Sequence, residues 1–167
     1  MTSVPNLYLG RQTWLEPLDA AALISAFEIA ARALIVHEDK TLLVYEADTD
    51  CWFTAGGRLK PGEDLRAAAL REIDEETGLA CTLGDVVATF DVLMPRQGYT
   101  THKFEYIFHA TPKTAPDWTE RPHIDSDQSG PVVSKLRWFT ADEAAALPLV
   151  FPEALRHWPS LIKRGPA

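Results

Sequence analysis

Cysteine is scarce in this chain of 167 residues. Cys51 and Cys81 are the two present, too few for a disulfide-framed scaffold, and both are expected as free thiols in a reducing, cytoplasmic setting. Positive charge is also short: 16 Lys and Arg stand against 24 Asp and Glu, for a formal charge of −8. Without a polybasic stretch, neither nucleic acid nor an anionic membrane is expected as a partner. No apolar run reaches the length of a membrane span, and residues 1–10 lack the charged and apolar regions of a secretory leader. Internal repeats are missing, as is any linker that would divide the chain into separate domains. Hydrophobic residues, by contrast, make up 46% of the chain. That is enough for one core, so residues 1–167 are expected to form a single domain, with 1–28 as a lead-in.

The most informative stretch runs from Gly56 to Leu79, GGRLKPGEDLRAAALREIDEETGL. Its spacing predicts a helix. Pro61-Gly62 breaks the chain ahead of it, Asp64 suits the N-cap and Gly78 suits the residue just past the end. At 100° per residue, Glu72, Glu75 and Glu76 fall within a sector of roughly 100°. Ala69, Leu70 and Ile73 lie roughly a third of a turn away and are expected to be buried. Three carboxylates this close repel one another and call for a counter-charge. Hard divalent cations such as Mg²⁺ or Mn²⁺ prefer carboxylate oxygens and would supply it. Just upstream, Gly56-Gly57 allows a tight turn whose backbone can approach a ligand.

Gly57, Glu63, Arg71-Glu72-Ile73, Glu75-Glu76 and Gly78-Leu79 stand at intervals that resemble the complete Nudix box. The resemblance implies an α/β/α sandwich of Nudix type with a mixed β-sheet. It also implies Mg²⁺- or Mn²⁺-dependent hydrolysis of a phosphoanhydride in a nucleoside diphosphate linked to another moiety. Nucleoside triphosphates, nucleotide sugars, ADP-ribose and dinucleoside polyphosphates all belong to that class. By the same resemblance Glu72, Glu75 and Glu76 are metal ligands, joined by the backbone of Gly56. Glu75 or Glu76 is the expected general base, while Arg71 and Glu63 support the acids. One departure is Thr54-Ala55, where the family often carries a proline before the glycines; a change in loop stiffness is expected from it.

Other readings are less specific. Tyr99 and Trp118 are the better candidates for stacking on a substrate, ahead of Trp52 and Phe53. Glu105 is a further substrate-site candidate, although a solvated strand face is the plainer expectation for it. Asp125 and Asp127 read as loop acids, His102 and His109 as structural, and Lys103 and Arg96 as cations within reach of phosphate. Two rival functions use the same fold: a non-catalytic nucleotide sensor, and an isopentenyl-diphosphate-isomerase-like enzyme. A sensor usually loses box carboxylates, which are all present here. The isomerase wants a reactive cysteine, for which Cys51 is poorly placed.

In chain order, Met1 to Glu16 is expected to be irregular, with Tyr8 and Trp14 as anchors against the domain or across a homodimer. Pro17 to Phe27 is expected to form a short helix. Ile29 to His37 and Thr41 to Glu46 read as a hairpin. Cys81 to Leu83, Asp85 to Leu93, His102 to Ala110 and Val132 to Phe139 read as strands, with loops at Met94 to Thr101 and Thr111 to Pro131. Thr140 and Glu143 form a capping box, and Phe151 to Ile162 is expected as a terminal helix.

Overall fold

The computed structural model describes residues 7–12, 24–96, 99–125 and 132–162. Among the described residues ten strands form one mixed sheet: β1 (Leu7–Gln12), β2 (Ile24–His37), β3 (Lys40–Glu46), β4 (Cys51–Phe53), β5 (Ala55–Arg58), β6 (Cys81–Arg96), β7 (Tyr99–Pro112), β8 (Glu120–Asp125), β9 (Val132–Thr140) and β10 (Val150–Phe151). The order along the sheet is β1-β6-β7-β2-β3-β4-β10, with β5 on β2, β9 on β3 and β8 on β9. The pairs β1–β6, β2–β7 and β4–β10 are parallel.

Alternation along β2 explains the layers. Ala31, Ala33 and Ile35 face one way, into clusters that include Ala68, Ala69 and Ile73 of helix α1 (Leu65–Thr77). Leu34 and Val36 face the other way. There they meet Ala144 of α2 (Ala141–Ala145), Leu155 of a 3-10 turn (Glu153–His157) and Leu161 of α3 (Pro159–Ile162). A sheet with apolar residues on both faces must be covered on both, and the result is the expected α/β/α sandwich. Among the described residues no helix is long and apolar enough to cross a membrane.

The hairpin of β2 and β3 forms as expected, with His37 opposite Lys40. So does the capping box of Thr140 and Glu143. Several expectations need correction. Residues 7–12 are not irregular but form β1 against β6. The expected helix at 17–27 does not extend to Ile24–Phe27, which belong to β2; residues 17–23 lie outside the described segments. Pairing with β7 from Ile24 to Ile35 outweighs the weak helical preference of the alanines. Cys81 to Arg96 is one strand, irregular in register between Leu83 and Ala88, rather than two. Pairing of β6 with β7 extends to Arg96 opposite Tyr99, within the stretch expected as a loop, and β8 occupies part of the expected loop at 111–131. The terminal helix is broken into β10, the 3-10 turn and α3. Pro152 lacks an amide proton and favours an extended residue before it, so no helix can run through from Phe151.

Candidate active site

Helix α1 carries the site, and its ends are held as the sequence predicts. The Asp64 carboxylate accepts from the amides of Arg66 and Ala67, both at 2.9 Å. Gly78 closes the helix at φ 62°, donating its amide to the Asp74 carbonyl. The buried face is rotated from the expected one. Ala68, Ala69, Ile73 and Thr77 are buried, while Leu70 is 41% exposed. The helix is rolled so that Ala68, on the acidic side, goes inward and Leu70 is lifted out. This roll brings Glu72 and Glu76 toward the sheet.

What they meet there is the glycine turn. The Gly56 amide donates to Glu76 Oε2 at 2.8 Å. A Cβ on Gly57 would lie 2.5 Å from Glu72 Oε1, so glycine is what leaves space for that carboxylate. Thr54, just ahead, is held by Arg32, whose Nη1 donates to its carbonyl at 2.9 Å. This bond stiffens an approach that lacks a proline.

Arg71 is the hub of the acidic face. Its Nη1 donates to Glu72 Oε1 at 2.7 Å and to Glu75 Oε2 at 2.8 Å. Its Nε and Nη2 grip both oxygens of Glu63, at 2.8 and 2.9 Å. Nη2 also reaches the Arg58 carbonyl at 3.1 Å. A planar fork with five donors suits this role better than an ammonium. The Arg71 hydrogen bonds, with the Lys60 amide assisting, pull the Glu63 carboxyl down to about 2. Glu76 moves the other way: loss of hydration outweighs Arg32 and the Gly56 amide and pushes its carboxyl up to about 8.

The acids open onto a cleft of about 590 Å³. Glu28, Glu72, Glu75 and Glu76 line it, together with the cations Arg58, Lys60 and Arg71. Lys60 reaches Glu75 at 3.4 Å, and Arg58 reaches Glu28 at 3.3 Å. Phe27 and Ile29, 73% and 47% exposed, form an apolar wall. Four carboxyl groups face three cations, so the cleft has no surplus of positive charge for an anionic ligand. Among the described residues no three His, Cys, Asp or Glu side chains converge into a coordination cluster; Arg71 is the cation that Glu63, Glu72 and Glu75 share. The donor set is nevertheless of the right kind for a hard divalent ion, with oxygens on one helical face and a glycine cradle beneath Glu72.

Other candidates fall elsewhere. Glu105 is neither solvated nor in the cleft. It is 2% exposed and pairs with Arg32 at 2.5 Å and Lys103 at 2.9 Å. Strand alternation puts it on the face of β7 opposite Phe108, which packs toward α1. Its buried ion pairs hold its carboxyl below the ordinary value against the cost of burial. Lys103 is therefore spent on Glu105 rather than free for phosphate. Trp118 packs on Trp138 with centroids 6.0 Å apart and lies under Arg121 at 4.4 Å. Neither it nor Tyr99, 41% exposed, lines the cleft. Trp52 and Phe53 are packing residues. His102 bonds Asp91 at 2.6 Å. The side chains of Arg96 and Asp125, and all of Asp127, lie outside the described residues. Cys51 and Cys81 are free and buried, and burial pushes their thiols up to about 12 and about 11. An unreactive Cys51 away from the cleft offers nothing to an isomerase. Sequence reasoning missed Phe27 because the start of β2 reads locally as helix and lead-in, and Ile29 because it reads as the first residue of a buried apolar strand. Arg58 and Lys60 carried a signal, since both sit inside the glycine-to-helix stretch.

The NUDIX domain model matches residues 26–160. The putative nudix hydrolase 1 of Caenorhabditis elegans is 30% identical over 122 residues, covering 68% of this chain and 31% of its own length. The human diphosphoinositol polyphosphate phosphohydrolase NUDT4B is 30% identical over 109 residues, 65% of this chain and 54% of its own. This chain thus spans less than two thirds of either curated relative. Among solved structures, the E. coli ORF135 protein superposes with a TM-score of 0.52 at 27% identity, covering 85% of this chain and 95% of that one.

Proposed function

Because the chain belongs to the Nudix family, we propose that it hydrolyses a phosphoanhydride in a diphosphate-linked small molecule, with Mg²⁺ or Mn²⁺ held by Glu72, Glu75 and Glu76. The observation that carries this reading is the row of three carboxylates along one cleft, two of them seated on the Gly56-Gly57 turn. A bound divalent ion would neutralise phosphate charge and bring the pKa of water toward neutrality. The rest falls to the chain itself. Arg58, Lys60 and Arg71 supply cationic donors along the cleft. Arg71 and Glu63 fix the direction of the acids, as supporting partners of metal-binding carboxylates do. Glu75, 44% exposed, is the more accessible acid for accepting a proton from water; Glu76 is committed to the Gly56 amide.

Charge balance argues the same way. Arg58, Lys60 and Arg71 are each already paired with a carboxylate, so no unshared cation is left for a diphosphate unless positive charge comes with it. The substrates to consider are those of the nucleoside diphosphate class, with diphosphoinositol polyphosphates added by the human relative's name. On the same reading the protein works in the cytoplasm on a small molecule, without nucleic acid or membrane, as a monomer or homodimer. Purified protein with Mg²⁺ or Mn²⁺ is to be screened against both classes by release of phosphate or nucleoside monophosphate. Metal-dependent release that stops in excess chelator supports the proposal. Undiminished release in chelator, or no release from any diphosphate, refutes it.

A further inference from the structure

Three charged side chains are buried in the sheet, and the proposed chemistry uses none of them. Arg32 is 9% exposed, Lys103 6% and Glu105 2%. They stand on the face that carries Leu34 and Ile107, away from α1. Arg32 Nε donates to Glu105 Oε2 at 2.5 Å, and Lys103 Nζ lies 2.9 Å from Glu105 Oε1. Both carboxylate oxygens are thereby taken. Burying ions costs much of what their pairing returns, and well-packed apolar residues often stabilise a core as well or better. The stability of the sheet therefore does not account for the cluster.

One donor of Arg32 points elsewhere. Nη1 donates at 2.9 Å to the carbonyl of Thr54, the single residue between β4 and β5. The stem of the same side chain lies under Gly56, its register partner on β5. A Cβ on Gly56 would come within 2.5 Å of Arg32 Cα and Cγ. Arg32 thus touches the turn at Thr54 and again at Gly56. The Thr54 hydroxyl is buried and finds no partner among the described residues, so its carbonyl is the anchored group. The Gly56 amide completes the line of contacts, reaching Glu76 Oε2 at 2.8 Å. Arg32 itself does not line the cleft.

We propose that Arg32 is a positioning residue for the metal site: Glu105 and Lys103 fix its guanidinium, and the guanidinium sets the turn at 54–56 on which Glu76 is seated. The inference rests on the proposed metal-binding role of Glu76 and extends it to residues outside the cleft. A planar fork suits this arrangement, because Nε meets a carboxylate while Nη1 meets a carbonyl. An ammonium carries the same charge but cannot hold both partners in fixed directions. Residues that orient metal-binding carboxylates change affinity without touching the ion.

Two variants test it, each measured well below its Tm. Arg32→Lys keeps the charge and loses the fork. The triple variant Arg32→Met/Lys103→Met/Glu105→Leu removes all three charges together, so that no ion of the cluster is left buried alone. Both should keep the circular dichroism spectrum of the parent and bind Mn²⁺ roughly 10- to 100-fold more weakly. A second measurement needs no metal. In the nitrogen–proton correlation spectrum, Glu76→Gln should shift the Gly56 amide of the parent, and the shift should largely vanish when Arg32→Lys is already present. Parent-like Mn²⁺ affinity in Arg32→Lys, or an undiminished Gly56 shift, is what a role confined to packing would give, and either overturns the inference. If the triple variant does not fold, Arg32→Lys decides alone. If the parent itself takes up no Mn²⁺, the proposed function fails and the inference with it. If the parent binds Mn²⁺ and the variants bind it equally well, the inference alone fails.

Discussion

Two adjacent glycines do different work, and substitution separates them. Gly56 sits at φ 149°, where an added Cβ would meet the Ala31 carbonyl and the Arg32 Cα at 2.5 Å. Both obstacles are backbone, so Gly56→Ala should lower stability by roughly 2–4 kcal/mol, read by denaturant unfolding. The three atoms nearest the Cβ of Gly57→Ala would all belong to the tip of the Glu72 side chain rather than to backbone. That variant should keep most of its stability and lose divalent-ion affinity as the carboxylate is displaced. A reversed pattern would mean that the turn does not seat the acids as described. Substitution of the acids is the sharper test of chemistry. Glu75→Gln or Glu76→Gln should reduce turnover by about a thousandfold with the circular dichroism spectrum unchanged. Unfolding alongside the loss would make these side chains structural.

At the scale of the element, α1 was legible because its signals are local. Caps, helical spacing and the glycine turn all lie within 24 consecutive residues, Gly56 to Leu79. The rotation of its buried face was not legible, since Leu70 and Ala68 are exchanged by packing against β2 and β5 rather than by propensity. Glu105 was misplaced for a related reason. Alternation along β7 was visible, but not which side faced α1, and its neutralising partner Arg32 lies 73 residues away. The role of Arg71 was partly readable: its i,i+4 relation to Glu75 is local, whereas its grip on Glu63 needs the fold. Arg71→Ala leaves three carboxylates without their shared cation. Divalent-ion affinity or activity should fall roughly 10- to 100-fold, and Arg71→Lys should recover little, because a point charge cannot replace the fork. Full activity in Arg71→Ala would show that the acids orient themselves.

For the whole molecule, alternating strands and a closing sandwich could be anticipated, but not the ten-stranded sheet or the start of β2. Those depend on long-range pairing of β2 with β7 and of β1 with β6, which no local pattern reports. The folded molecule should also show an unusual pH response. Glu76 has its folded pKa raised from 4.5 to about 8, so its contribution to stability is fully present below about 4.5 and is lost as pH rises toward 8. Without divalent ions, Tm should therefore decline between pH 5 and pH 8, and Glu76→Gln should flatten the decline. Glu63 has the opposite sign. Its folded pKa is depressed to about 2, so its contribution is present above 4.5 and is lost as pH falls toward 2. Identical Tm profiles for the parent and Glu76→Gln would contradict the burial of that carboxyl.

The central claim is that one face of α1 gathers divalent cations. Manganese titration followed by electron paramagnetic resonance tests it directly, since free Mn²⁺ gives the signal and bound Mn²⁺ loses it. The parent protein should take up Mn²⁺ saturably, more tightly when guanosine diphosphate is present, and Glu72→Gln/Glu76→Gln should leave the free signal nearly undiminished. Equal uptake by the parent and the double variant would place the metal elsewhere and contradict the account.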